Sequence, residues 1–210
     1  MADVIYGLGA RKMPEESMEG VLLVPTESAG SSAMEIAYSK TNPERSIGIG
    51  CCGGMQTYMA KGELVVVTEA VDGGNFAEFS KTELTDWLDQ REEFSFKTDK
   101  ELTNQLKKTL DGRDIAYHEG KIFSVSSRMV ETPQFIKELT DRGYSGVEME
   151  TATLLACAQY NNKKAASLQV ISDIFSKPFD PEVANKMWRP ALDVAINSLN
   201  NHDWRDLDDN

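Results

Sequence analysis

Alternation constrains this chain more than any other feature. Short apolar runs, each the length of one buried strand, are separated by stretches with helical spacing. Gly20 to Pro25 (GVLLVP), Ser46 to Gly50 (SIGIG), Glu63 to Thr68 (ELVVVT), part of His118 to Ser127, and Ala165 to Ile171 read as strands. Helical patterns occupy Ser31–Ser39, Lys81–Arg91, Asp99–Leu110, Thr132–Arg142 and Thr151–Tyr160, and Asp180 with Pro181 opens a last helix. Such an order predicts an α/β sandwich around a largely parallel or mixed sheet. Thr98 with Glu101 three residues on has the form of a capping box. Thr132 followed by Pro133 puts proline at the first helical position, where no needed donor is lost. No Pro/Gly/Ser-rich linker divides the chain, which predicts one domain over residues 1–210 with a frayed acidic tail at 201–210.

At 210 residues a domain buries roughly 70% of its unfolded surface, so no disulfide or metal is needed to support the core. Against 34 Asp and Glu stand 22 Lys and Arg, a net charge of −12. That balance argues against a nucleic-acid backbone or an anionic membrane as partner. Three cysteines, two of them adjacent (Cys51, Cys52), read as free thiols in a reducing compartment. With no signal-peptide pattern and no apolar run near ~18 residues, a cytoplasmic chain is expected.

Three segments hold candidate chemistry. GIGCCG, Gly48 to Gly53, matches G-x-G-x-x-G, and Glu69 lies 21 residues after Gly48, as in a dinucleotide fingerprint. Only eight residues, Gly54 to Lys61, then precede Gly62 and the next strand, too few for the crossover helix. A tight glycine turn whose amides approach an anion or a sugar oxygen is the simpler expectation. In GVEMETATLL, Glu148 and Glu150 are two apart and share one face of an extended segment. They suit an acid/base pair, a metal site or a solvated edge; only His118 and His202 exist to complete a metal set, and neither is near in sequence. Finally SLQVISDI carries a buried-looking strand into Ser172-Asp173, either a helix cap or a reactive acid at a strand's carboxyl end.

In this order and spacing the three segments resemble the nucleoside phosphorylase and nucleosidase superfamily, from about Gly20 to Ile174. EGKIFSVSS (119–127) is similar to the strand entering that family's base pocket, and VEMETATLL followed by SDI is its most specific element. The resemblance implies a three-layer α/β/α sandwich with a mixed, partly barrel-like central sheet. It implies cleavage of an N-glycosidic bond to ribose or deoxyribose without metal or organic cofactor, in a homo-oligomer. Glu150 would hold the ribose hydroxyls, with Met149 under the sugar and Glu148 as a second acid near it. Asp173 would serve the leaving base as general acid, which points to a purine. Gly50, Cys51, Gly53, Ser126, Arg128 and Ser172 fall on substrate-binding positions.

Departures from the family bear on the nucleophile. Gly30, in VPTESAGSS (24–32), stands where a phosphate-binding arginine is expected, Gly48 where a second often occurs, and Cys51 where a hydroxyl is common. Without arginine a phosphate dianion loses its strongest bidentate bonds, so hydrolysis is expected over phosphorolysis. Glu27 and Arg45 are candidates for a water or phosphate site, and Gln169 replaces an arginine that nucleosidases carry. The short passage from Lys40 to Ser46 makes the N-terminal half compact for the family. That trimming supports an alternative, a catalytically weakened nucleoside- or nucleotide-binding sensor. Phe76 and Phe79 suit either base stacking or core, and Lys186 and Arg189 either support of Asp173 or a solvated helix face.

Overall fold

A computed structural model describes residues 3–9, 17–174 and 181–200. Among these residues are nine strands: β1 (Asp3–Gly7), β2 (Ser17–Met18), β3 (Val21–Pro25), β4 (Arg45–Gly54), β5 (Leu64–Asp72), β6 (Ser95–Lys97), β7 (Tyr117–Ser124), β8 (Gly146–Glu148) and β9 (Lys164–Ile174). They form one mixed sheet in the order β2-β3-β1-β4-β8-β7-β5-β6, with β9 joining β4 to β5. β9 therefore closes β4, β8, β7, β5 and itself into a five-strand barrel, and the other strands extend from its wall. β9 runs parallel to β4 and antiparallel to β5, which makes the barrel mixed.

Seven helices among the described residues flank the sheet: α1 (Ser31–Thr41), α2 (Phe76–Phe79), α3 (Leu84–Arg91), α4 (Lys100–Gly112), α5 (Pro133–Asp141), α6 (Thr151–Tyr160) and α7 (Pro181–Asn200). Leu102, Leu106 and Leu110 of α4, with Ala191, Ala195 and Leu199 of α7, pack on Ile47, Leu168 and Val170. These positions recur every four residues, a spacing that sets one helical stripe against a sheet. On another face α1 and α6 bury Met34, Leu154 and Leu155 against Tyr6 and Ile122. A third core joins Trp87, Phe123, Phe135 and Tyr144. Phe76 and Phe79 pack against it, with Phe79 edge-on to Trp87 at 5.0 Å, so both rings fill the core. No helix among the described residues is long and apolar enough to cross a membrane.

Local signals hold at some ends and fail at others. Thr132 Oγ1 accepts from the Phe135 amide and Pro133 opens α5, as the sequence predicts. At α4 the cap is Asp99, which accepts from the Leu102 amide at 3.0 Å, and not Thr98. Thr98 Oγ1 instead lies 3.2 Å from the carbonyls of Val67 and Thr68, so sheet contacts take the hydroxyl that a capping box requires. The expected start of α7 at Asp180 lies outside the described residues.

The glycine motif is the main correction. Gly48 to Gly53 is no turn: β4 runs unbroken from Arg45 to Gly54, paired with β9 along its length. The dinucleotide reading falls with it, because turns and no helix lead from β4 to β5. Close approach explains the glycines. A Cβ on Gly50 would stand 2.6 Å from Gln169 Oε1, and one on Gly48 2.7 Å from Leu154 Cδ2.

Candidate active site

A cavity of about 500 Å³ opens at the carboxyl ends of β1, β4 and β9, where open α/β sheets place their ligands. Its walls include Leu8 and Gly9 after β1, Ala29 before α1, Cys51, Cys52 and Gly53 of β4, and Ser172 and Asp173 of β9. Val147 to Glu150 contribute a further wall, Arg128 and Glu131 another, and Asn185 with Trp188 close it from α7.

Asp173 owes its position to an irregular pairing. Cys52 pairs with Ile171 and Gly53 with Asp173, so Ser172 is an extra residue on β9. A bulge of this kind re-aims the side chain beside it. Ser172 Oγ donates to Asp173 Oδ1 at 2.8 Å, and no hydrogen bond from a described residue reaches Oδ2. Gly53 is the matching concession, because a Cβ there would stand 3.1 Å from Asp173 Oδ2.

Glu148 and Glu150 do different work. Glu148 Oε2 accepts from the amides of Glu150 and Thr151, both at 2.8 Å, and from Thr151 Oγ1 at 3.0 Å. Its Oε1 accepts from Ser124 Oγ. Four donors fill the acceptor capacity of one carboxylate, so Glu148 anchors the start of α6. Glu150, one residue before α6, is buried on the cavity wall, and its Oε1 accepts from the Gly30 amide at 2.5 Å. The expectation that the two share a strand face fails because β8 ends at Glu148. Gly30 holds φ 102 and ψ 167, a conformation open in practice to glycine alone, so the arginine expected there by resemblance would be strained.

Burial pushes the Glu150 carboxyl up to about 7, with the neighbouring Glu148 charge adding to the effect. Burial also raises Glu148, against its own hydrogen bonds. Glu131 is raised by burial; Arg128 opposes that shift and Asp173 adds to it. Burial lifts the Cys52 thiol well above its ordinary value, the opposite of what a thiolate nucleophile needs.

Of the residues singled out by sequence, Glu148, Met149, Glu150, Cys51, Gly53, Arg128, Ser172 and Asp173 share this cavity. Gly50 does not line it but lies buried against Gln169. Gln169 Nε2 donates to Ser167 and Thr151 inside the sheet, which turns that amide away from Asp173's pocket. Ser126 is exposed and outside the lining, as is Glu27, which holds φ 58 in the loop before α1. Arg45 sits at the far end of β4, paired with Asp3 at 2.5 Å and donating to the Leu199 carbonyl, so it braces the barrel's other end. Lys186 is exposed and Arg189 pairs with Asp193 at 2.9 Å. Sequence reasoning missed Glu131, Asn185 and Trp188. The last two are three apart on α7, a spacing that places both on one helical face and was visible in the sequence.

Glu150 and Asp173 thus line one cavity at the strand ends of an α/β barrel, a concave site of the size that takes a small molecule. The chain belongs to the phosphorylase superfamily, whose family model matches residues 17–192. It is similar to a purine nucleoside phosphorylase DeoD-type of Roseobacter denitrificans, 25% identical over 135 residues, 64% of this chain and 54% of the relative. It is also similar to a guanosine phosphorylase of Halorubrum lacusprofundi, 25% identical over 130 residues, 62% of this chain and 50% of the relative. The chain thus spans about half the length of these relatives.

Proposed function

We propose that this chain cleaves the N-glycosidic bond of a purine-type nucleoside, with water as the attacking nucleophile. One observation carries the reading: Asp173 and Glu150 line the same cavity from different elements, Asp173 braced by the Ser172 hydroxyl and Glu150 by the amides of Gly30 and Met149. The Glu150 carboxylate, where it faces the cavity, takes the ribose hydroxyls as an ionised acceptor. Asp173 delivers a proton to the base as the C1′–N bond stretches and charge builds on the leaving ring. Met149 packs under the sugar, while Glu148 sets the geometry of Glu150 without touching substrate.

The choice of water rests on charge. Arg128 is the one Arg or Lys among the described lining residues, and its side chain is 68% exposed. A phosphate dianion would find several carboxyls and a single screened guanidinium. Phosphorolysis is the second reading, favoured by the two relatives, each named a phosphorylase. Purified chain incubated with guanosine, inosine and adenosine in phosphate-free buffer tests the proposal. Free base is the expected product; release that waits for added phosphate supports the second reading. Binding of a nucleoside with no release from any of the three would favour a sensor.

A further inference from the structure

Glu131 is the wall residue that the proposed chemistry leaves unused. It follows the 3₁₀ turn Arg128–Val130, and its side chain is only 20% exposed. Its ion-pair partner, the Arg128 guanidinium, stands 3.8 Å away, beyond hydrogen-bond distance. Among the described residues no hydrogen bond reaches the Glu131 carboxylate, although it lines the cavity. Asp173 is close enough to disfavour a second negative charge there. Trp188 adds an indole to the same cavity, a ring whose face attracts cations.

We infer that Glu131 makes this pocket selective for nucleosides whose base carries a fixed positive charge on a quaternary ring nitrogen. The inference rests on the nucleoside reading of the site and adds the class of substrate. A neutral purine can donate an N–H to this carboxylate, but it leaves uncancelled a negative charge that already faces another acid. A cationic base relieves that repulsion and pairs with Glu131 in a partly water-excluded space. The chemistry then simplifies. When the C1′–N bond breaks, its electron pair goes to the ring nitrogen and the base leaves neutral. The positive charge passes to the sugar, water adds at C1′, and one proton is released to solvent. No proton has to reach the base.

Guanosine and 7-methylguanosine differ by one methyl group and one positive charge, which isolates the property at issue. Both are assayed just below neutral pH with the unaltered chain, Glu131→Gln and Glu131→Asp, and melting curves check that each variant is folded. The intrinsic lability of the methylated compound cancels when each variant is compared with wild type on the same substrate. Glu131→Gln is expected to lower kcat/KM for 7-methylguanosine about tenfold, the scale of one half-buried ion pair, and to change guanosine by less than about threefold. Glu131→Asp, which keeps the charge, is expected to retain the preference. Equal losses on both substrates, or none on either, overturn the inference while leaving nucleoside cleavage intact. If neither compound releases base, the cleavage reading fails and calorimetric binding of the same pair decides. Tighter binding of the cation that vanishes in Glu131→Gln sustains charge selection, and equal affinities overturn it.

Discussion

Glu150 gives the site a pH dependence. Its carboxyl titrates at about 7, raised first by burial and then by Glu148. In the proposed role its ionised form is the stronger acceptor for the sugar, so kcat/KM is expected to rise with pH through about 7 and to lose that limb in Glu150→Gln. Stability runs the other way. Between the ordinary carboxylate value and 7 the native state holds a proton that the unfolded chain has released, so stability is full at low pH and falls as pH rises through that window. Glu150→Gln keeps an acceptor for the Gly30 amide and removes the penalty. Denaturant melts at pH 8 should show it about 1–3 kcal/mol more stable than the parent, though impaired in sugar binding. Asp173→Asn is expected to lower kcat about 10²–10⁴-fold on a neutral purine nucleoside, measured at saturating substrate, because it removes only the proton-donating step. The place of both acids in the cavity was legible through the family resemblance of their motifs, not from either motif alone. Glu148's role was not, because alternation along a strand says which face a side chain takes and nothing about which amides it meets.

At the scale of elements, the start of α6 depends on one side chain. Glu148→Ala leaves the amides of Glu150 and Thr151 and the Ser124 hydroxyl without their partner in a buried setting. A loss of about 2–4 kcal/mol by chemical denaturation is expected, with activity falling alongside it. That coupling separates a positioning acid from a substrate-binding one, whose loss would spare stability. The strands of β5 and β9 and the helices α5 and α6 could be read in advance, since apolar runs and caps are local signals. β4 could not be read at full length. Its glycines look like a turn because glycine usually marks one, yet here they clear space for Gln169, Leu154 and Asp173, residues remote in sequence. β1 went unseen, and β8 was read as an extended segment running past its true end at Glu148, for a related reason. Five and three residues are too short for periodicity, and their pairing with β3, β4 and β7 is what makes them strands. The Ser172 bulge is likewise a property of two strands together and has no signature in either alone.

Across the whole molecule, the charge of −12 acquires a local meaning. Net charge does not set a pocket's charge. Yet Glu131, Glu148, Glu150 and Asp173 meet one arginine in the described lining, and the arginine at 45 is committed to Asp3 at the opposite end of β4. That distribution is the reason for preferring water to phosphate. Cleavage in ¹⁸O-labelled water, with phosphate present and the sugar product read by mass spectrometry, tests the claim most directly. The account predicts free base together with ribose carrying one ¹⁸O at C1, formed at a rate that phosphate does not change. Unlabelled ribose 1-phosphate, or no base released at all, would contradict it.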